Sequence, residues 1–266
     1  MRVRLGVVVL VALAVALPAA GAGESGAPYY SAASFVNSAD NLSAVLAPNT
    51  IATLYGESLS WTTKAVSPLD LRGGSLPVVL AGTGVWVLLN NMPAPLYYVS
   101  PKQINLLVPG NLTPGPASLR VVRDGWAGPE VRLLLEEAAP ALYLLDGRAA
   151  IATRADGSVV TSANPARPGE VVVLYATGLG PTKPDFVPGT LPDRAAPLAR
   201  PNEFRVWLNG SAAPPGSVLY AGVAPGFAGL YQINLALPEG IGASPEIRVS
   251  VGAAMSAAGV ILPAGP

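Results

Sequence analysis

The chain has 266 residues, 51% hydrophobic and 12% charged, with a formal net charge of zero and neither histidine nor cysteine. Those two absences exclude a Ser-His-Asp or Cys-His nucleophilic pair, any His- or Cys-ligated zinc or copper site, and disulfide bonds. The charge balance provides no counterion-release drive toward nucleic acid and no polybasic pull toward anionic lipid.

At the N-terminus, Arg2 and Arg4, the apolar stretch from Leu5 to Leu17 and the small residues Ala20-Gly21-Ala22 follow the order of a secretory signal peptide, residues 1–22. The apolar run is shorter than the roughly 20 residues that cross a bilayer. A secreted product is therefore expected, extracellular, periplasmic or on the cell surface, with no transmembrane segment once the leader is removed. Without a cysteine it carries no lipid thioether, so any attachment to a surface is expected to be non-covalent. Loss of Arg2 and Arg4 leaves 14 basic against 16 acidic residues.

Beyond the leader no segment sustains a 3.6-residue apolar period, and 29 glycines and 28 prolines interrupt the chain at short intervals. Short runs of Val, Leu, Ile and Tyr between turn signals predict an all-β fold of the sandwich type. Strands are expected at 51–55, 85–89, 95–99, 103–108, 117–122 and 131–135. A second group is expected at 149–154, 170–176, 204–208, 217–221, 230–237, 246–251 and 257–262. Asn209-Gly210 is a strong two-residue hairpin signal because both residues tolerate positive φ, and Asn90-Asn91 occupies the matching place upstream. Asp124-Gly125 and Asp156-Gly157 are further tight-turn candidates.

The chain repeats itself. Tyr98-Val99-Ser100-Pro101 followed by Gln103-Ile104-Asn105-Leu106-Leu107-Val108-Pro109 returns as Tyr220-Ala221-Gly222-Val223-Ala224-Pro225 followed by Gln232-Ile233-Asn234-Leu235-Ala236-Leu237-Pro238. Thr53-Leu54-Tyr55-Gly56-Glu57-Ser58-Leu59 returns as Val173-Leu174-Tyr175-Ala176-Thr177-Gly178-Leu179. One motif order kept in two copies predicts tandem domains of one fold, 23–139 and 140–266. At about 120 residues each can bury its own core without cross-links. The junction is expected near Ala138-Ala139-Pro140.

The run from Asn164 to Pro181 (NPARPGEVVVLYATGLGP) and that from Leu219 to Asn234 (LYAGVAPGFAGLYQIN) resemble the hallmark of the uncharacterised C-terminal domain family named for Solibacter proteins. The likeness runs from about Ala32 to Leu262 and takes in the first copy. It implies a pair of immunoglobulin-like domains of the IPT/TIG kind, in secreted proteins of soil-type bacteria. The family has no assigned catalytic residues, and none is carried over.

The repeated Gln-Ile-Asn motif is the first place to look for a site. Strand alternation puts Gln232 and Asn234 on one face and Tyr231, Ile233 and Leu235 on the other. The amides are expected to brace the fold, not to hold a ligand. Tyr55 and Tyr175 are expected as core aromatics with bonded hydroxyls, and Trp86 and Trp207, in mid-strand, as core. Trp61 and Trp126 fall in loop or turn sequence, where they either cap an end of the sandwich or, exposed, stack on carbohydrate or anchor a protein partner. Two long Pro- and Gly-rich loops, 60–77 and 181–201, are expected to form a partner surface, with Arg194 and Arg200 as ligand-binding candidates. Glu136 and Glu137 are adjacent on an extended segment and point apart, so they do not make the facing pair of a glycosidase. No calcium-loop spacing, dinucleotide fingerprint or G-x-S-x-G elbow is present, and no cofactor or metal is expected. The expectation is a non-enzymatic structural or adhesive module whose partner is an extracellular protein or polysaccharide. The alternative is a carbohydrate-binding accessory module using Trp61 or Trp126.

Overall fold

A computed structural model describes residues 26–41 and 45–265; the signal-peptide expectation for residues 1–22 lies outside them. Among the described residues there is no α-helix, and the only helical turns are three short 3-10 segments. The strands that matter here are β1 (Phe35–Asn37), β2 (Ile51–Tyr55), β3 (Val85–Leu89), β4 (Leu96–Val99), β5 (Gln103–Leu107), β6 (Gly115–Arg123) and β7 (Val131–Leu135). They continue with β8 (Val171–Thr177), β9 (Phe204–Leu208), β10 (Val218–Val223), β11 (Tyr231–Ala236) and β12 (Ile247–Val251).

In the N-terminal half, one sheet runs β1-β2-β5-β4 and ends at Lys64–Ala65, and the other runs β7-β6-β3 and ends at Met92–Pro93. In the C-terminal half, β8, β11 and β10 are flanked by Ala141–Leu142 and Ala196–Pro197. Facing them, β9 and β12 are flanked by Ser211–Ala212 and Ala254–Met255. All named strand pairs are antiparallel, as expected for strands with one buried face. The alternation is plain in β3 and β9, where Val85, Val87 and Leu89, then Phe204, Val206 and Leu208, point inward.

Register repeats along with sequence. β2 and β5 pair from Ile51 with Leu107 to Tyr55 with Gln103, and β8 and β11 pair Val171 with Ala236 and Tyr175 with Gln232. A register shift falls between Leu96 and Tyr98 in β4 and again between Val218 and Tyr220 in β10, so Tyr97 and Leu219 are equivalent bulged positions. The turns form as their residues demand: Asn90 and Asn91, Asp124 and Gly125, and Asn209 and Gly210 all have positive φ.

Two expected strands differ. Residues 149–154 split at Ile151, because Ala149–Ala150 pairs with Leu144–Leu145 while Ala152–Thr153 joins β8. Residues 257–262 form no strand. The chain turns at Gly252, Ala254–Met255 pairs back onto β12, and only Ile261 bridges to Ala149 and Glu246.

Buried side chains gather in three clusters. One lies between the N-terminal sheets, with Phe35, Leu54, Val87, Ile104, Leu119 and Val121. Another lies between the C-terminal sheets, with Val172, Leu174, Val206, Ile233, Leu235 and Val249. The third joins the halves: Ile51, Leu76, Tyr97 and Leu107 pack against Ala228, with Leu191 and Leu230 beside them. Burying such side chains stabilises by about 1.5–3 kcal/mol each, so the seam is a substantial contact.

Polar bonds complete the seam. The Tyr97 hydroxyl donates to Ala228 O at 2.6 Å, and Asn37 Nδ2 donates to Ala139 O at 3.1 Å. The two long loops meet each other: Leu76 N donates to Gly189 O and Leu191 N to Gly74 O, with the Ser75 and Thr190 hydroxyls 3.1 Å apart. The loops expected to form a partner surface thus also contact each other. Each loop uses its inner segment to hold the other, so the loops clasp the seam. The expected junction is packed too: Ala138 and Ala139 are buried, and Ala139 N donates to Gly178 O at 2.8 Å.

Candidate functional site

The site grows from the end of β6. In that strand Ala117, Leu119 and Val121 alternate inward, and Arg123 continues the same phase one step past the core. An arginine in that phase is carried under the end of the sandwich, where it is fully buried. Its Nη1 donates to Ser58 O and its Nη2 to Gly26 O. Its Nε has no partner. Burial pulls its pKa below the ordinary arginine value and the Asp124 charge opposes that shift; guanidinium remains protonated in any case.

The guanidinium lies 3.5 Å from the centroid of the Trp61 ring. A cation–π contact with one partner buried and the other half in water stabilises by about 1–2 kcal/mol. One face of the indole is therefore sealed by a buried charge while Trp61 as a whole is 64% exposed. Across the Asp124-Gly125 turn, Trp126 is the register partner of Arg123, and directly paired residues share a sheet face. Trp126 is 58% exposed. Tyr29, 51% exposed, is tied to the same end by paired backbone bonds with Glu57, whose neighbour Ser58 supplies a carbonyl to Arg123. The two tryptophans singled out in the sequence thus share one neighbour that the sequence reading missed. The signal was there: an arginine in the inward phase immediately before an Asp-Gly turn.

The other candidates lie elsewhere. Arg194 is exposed, pairs with Asp193 at 3.2 Å and sits 5.9 Å from the Phe186 ring. Arg200 lines a cleft of about 520 Å³ with Val45, Glu136, Glu137, Glu203 and Met255. There it bridges Glu137 and Glu203, each at 3.3 Å, so its charge is already balanced. Trp86 corrects the expectation of a core residue. It is 40% exposed because it stands on the outward phase between the inward Val85 and Val87. Trp207 is half-buried and its Nε1 donates to Ser250 Oγ at 2.9 Å.

The amide motif braces the strands. Gln103 Nε2 donates to Asn105 Oδ1 at 2.8 Å, and the same bond returns between Gln232 and Asn234 at 3.2 Å. Thr53 Oγ1 also donates to Asn105 Oδ1. Tyr175 is a core aromatic as expected, its hydroxyl 3.1 Å from Thr153 Oγ1, whereas Tyr55 is only half-buried at the end of β2, where its hydroxyl donates to Asn41 Oδ1 at 3.1 Å. Among the described residues no group of three or more acidic side chains is placed to hold a metal ion. No helix among them is long and apolar enough to cross a membrane.

The chain matches no protein-family model and no curated protein. Among solved structures it is similar to a surface glycan-binding protein of the Bacteroides ovatus mixed-linkage glucan utilization locus, in complex with a mixed-linkage heptasaccharide. The identity is 12% and the TM-score 0.32, over 78% of this chain and 38% of that one. A surface glycan-binding protein from Prevotella bryantii is 13% identical with a TM-score of 0.26, over 87% of this chain and 41% of that one. Domains 5–6 of the S-layer protein SbsC are 11% identical with a TM-score of 0.27, over 83% of this chain and 92% of theirs. The chain spans about two fifths of the length of the two glycan-binding proteins.

Proposed function

We propose that this chain is a non-enzymatic binding module of the cell exterior, made of two tandem IPT/TIG-like domains, 23–139 and 140–266, behind a cleaved leader of residues 1–22. The observation that carries this reading is Trp61 held by Arg123. Exposed apolar side chains grouped at one place mark a contact surface, and here Trp61, Trp126 and Tyr29 gather at one end while a buried cation fixes one face of the Trp61 indole. Its partner is a component of the cell exterior. Non-enzymatic action is supported by the sequence, which has no histidine or cysteine, and by the engagement of Arg200 with Glu137 and Glu203 within the fold.

The test has two parts. Fractionation of the producing cells should find the chain in the medium, periplasm or envelope with a new N-terminus at Gly23; an intact leader in the cytoplasm refutes secretion. The mature chain should sediment with washed envelopes, and Trp61→Ala should release it while the chain stays folded, its melting temperature falling by about 2–8 °C for the lost contact with Arg123. Undiminished sedimentation of that variant refutes Trp61 as the contact.

A further inference from the structure

We infer that the open face of Trp61 binds the ring face of a pyranose in a polysaccharide, with Trp126 and Tyr29 widening the platform and Arg123 backing it. This rests on the reading above that the aromatic end is the contact surface, and it names the chemical class of the partner.

The first reason is shape. Two clefts, one among Val45, Glu136, Glu137 and Arg200 and the other among Asn49, Phe186 and Tyr231, are lined by none of Trp61, Trp126 or Tyr29. A flat, rigid, one-sided indole suits a ligand that is itself flat and apolar on one side, which describes the C–H face of a pyranose. Such a stack gains buried apolar area and leaves the sugar hydroxyls in water.

The second is charge. The Arg123 guanidinium draws on the π-cloud of Trp61 from behind, so a second cation on the open face meets a weakened quadrupole and a like charge. That disfavours a lysine or arginine of a protein partner. Neutral and acidic sugars meet no such penalty.

The third is composition. The exposed large apolar side chains that the contacts gather about Arg123 and Glu57 are all aromatic: Tyr29, Trp61 and Trp126. A protein hot spot is ringed by further dry contacts that exclude water. Here the chain neighbours are the exposed Thr62, Thr63, Asp124 and Gly125, whose hydroxyl, carboxylate and backbone groups can exchange bonds with sugar hydroxyls.

The experiment is affinity electrophoresis of the mature chain in gels containing hydroxyethylcellulose, xylan or polygalacturonate, beside sedimentation with envelopes treated by periodate or by protease. At least one polysaccharide should retard the chain. Trp61→Ala should weaken that binding at least tenfold, Trp61→Phe should weaken it less, and Trp86→Ala, on the outward face of β3, should leave it unchanged. Retardation by polygalacturonate alone identifies acidic sugars as the ligand, and by either of the others alone, neutral ones. Periodate should abolish envelope binding and protease should not. If protease abolishes it, and Trp61→Ala does too, the sugar inference falls while the contact surface stands. If Trp61→Ala changes neither assay, both fall.

Discussion

Thr177 and Ile51, 126 residues apart, meet through one hydroxyl: Thr177 Oγ1 accepts the Ile51 N–H at 2.9 Å and donates to Gly229 O at 2.7 Å. Thr177 is fully buried and ends β8, while Ile51 opens β2. A single side chain therefore satisfies a backbone donor from one half and a backbone acceptor from the other. Replacing it by valine keeps the shape and removes both bonds. Each orphaned buried group costs about 1–3 kcal/mol. Thr177→Val should lower the melting midpoint by about 5–10 °C, read by calorimetry. An unchanged midpoint means that water or a shift of backbone replaces the hydroxyl.

Gly229 makes a sharper test of the seam. Its φ is +74°, and a Cβ there would lie 2.5 Å from Leu107 Cδ1 and 2.7 Å from Asn49 O. Gly229→Ala adds the cost of a left-handed alanine, about 1 kcal/mol or more, to a collision with backbone on the other half. The turn carrying Ala228 should be lifted off Tyr97, and thermal unfolding, expected as one transition in the wild type, should separate into two. One transition at the wild-type temperature would show that the halves do not depend on this contact.

Much of the fold could be read from the chain, and the reason is local. Val85–Leu89 and Phe204–Leu208 alternate, and Asn209-Gly210 and Asp124-Gly125 admit the positive φ their turns need. Trp86 was readable in principle, since its phase opposes Val85 and Val87. The seam was not. Tyr97 and Leu219 occupy equivalent bulges, yet Tyr97 is 6% exposed and Leu219 58%, because only the first has another half lying on it. Thr177, Gly178 and Gly229 read as ordinary strand-end and turn residues until the opposing surface is known. Arg123 escaped for the same reason: its partners, Gly26, Ser58 and Trp61, are brought to it only by the folded end of the sandwich.

Stability should be flat through neutral pH and fail in alkali. The chain has no histidine, the side chain whose ordinary pKa lies between pH 5 and 8. Burial pushes Tyr30 up to about 12 and raises Tyr97 and Tyr231 as well. An unfolded tyrosine releases its proton near pH 10, before the folded one does. Stability is thus intact below about pH 10 and lost as pH rises beyond it, at about 1.4 kcal/mol per pH unit for each such group. On the acid side, Ser67 and Lys64 hold Asp70 down to about 2, and stability falls as pH drops from about 4 toward that value. Urea midpoints taken from pH 2 to 11 check both limbs; a midpoint unchanged between pH 9 and 11 would contradict the buried phenols.

The repeated amide pair allows one substitution to be made twice. Gln103 and Asn105 are 8% and 3% exposed, whereas Gln232 and Asn234 are half-buried. Asn105→Ala strands the Gln103 amide and the Thr53 hydroxyl where water does not reach, at about 2–3 kcal/mol. Asn234→Ala leaves Gln232 free to turn to solvent, and should cost less than about 1 kcal/mol. The melting midpoint should fall by about 5–8 °C in the first case and by no more than about 2 °C in the second. Isolated from the C-terminal half, the first sheet would lose its cover and the two costs would converge. Equal costs in the whole chain would therefore mean that the N-terminal face is open in solution and that the seam does not hold there.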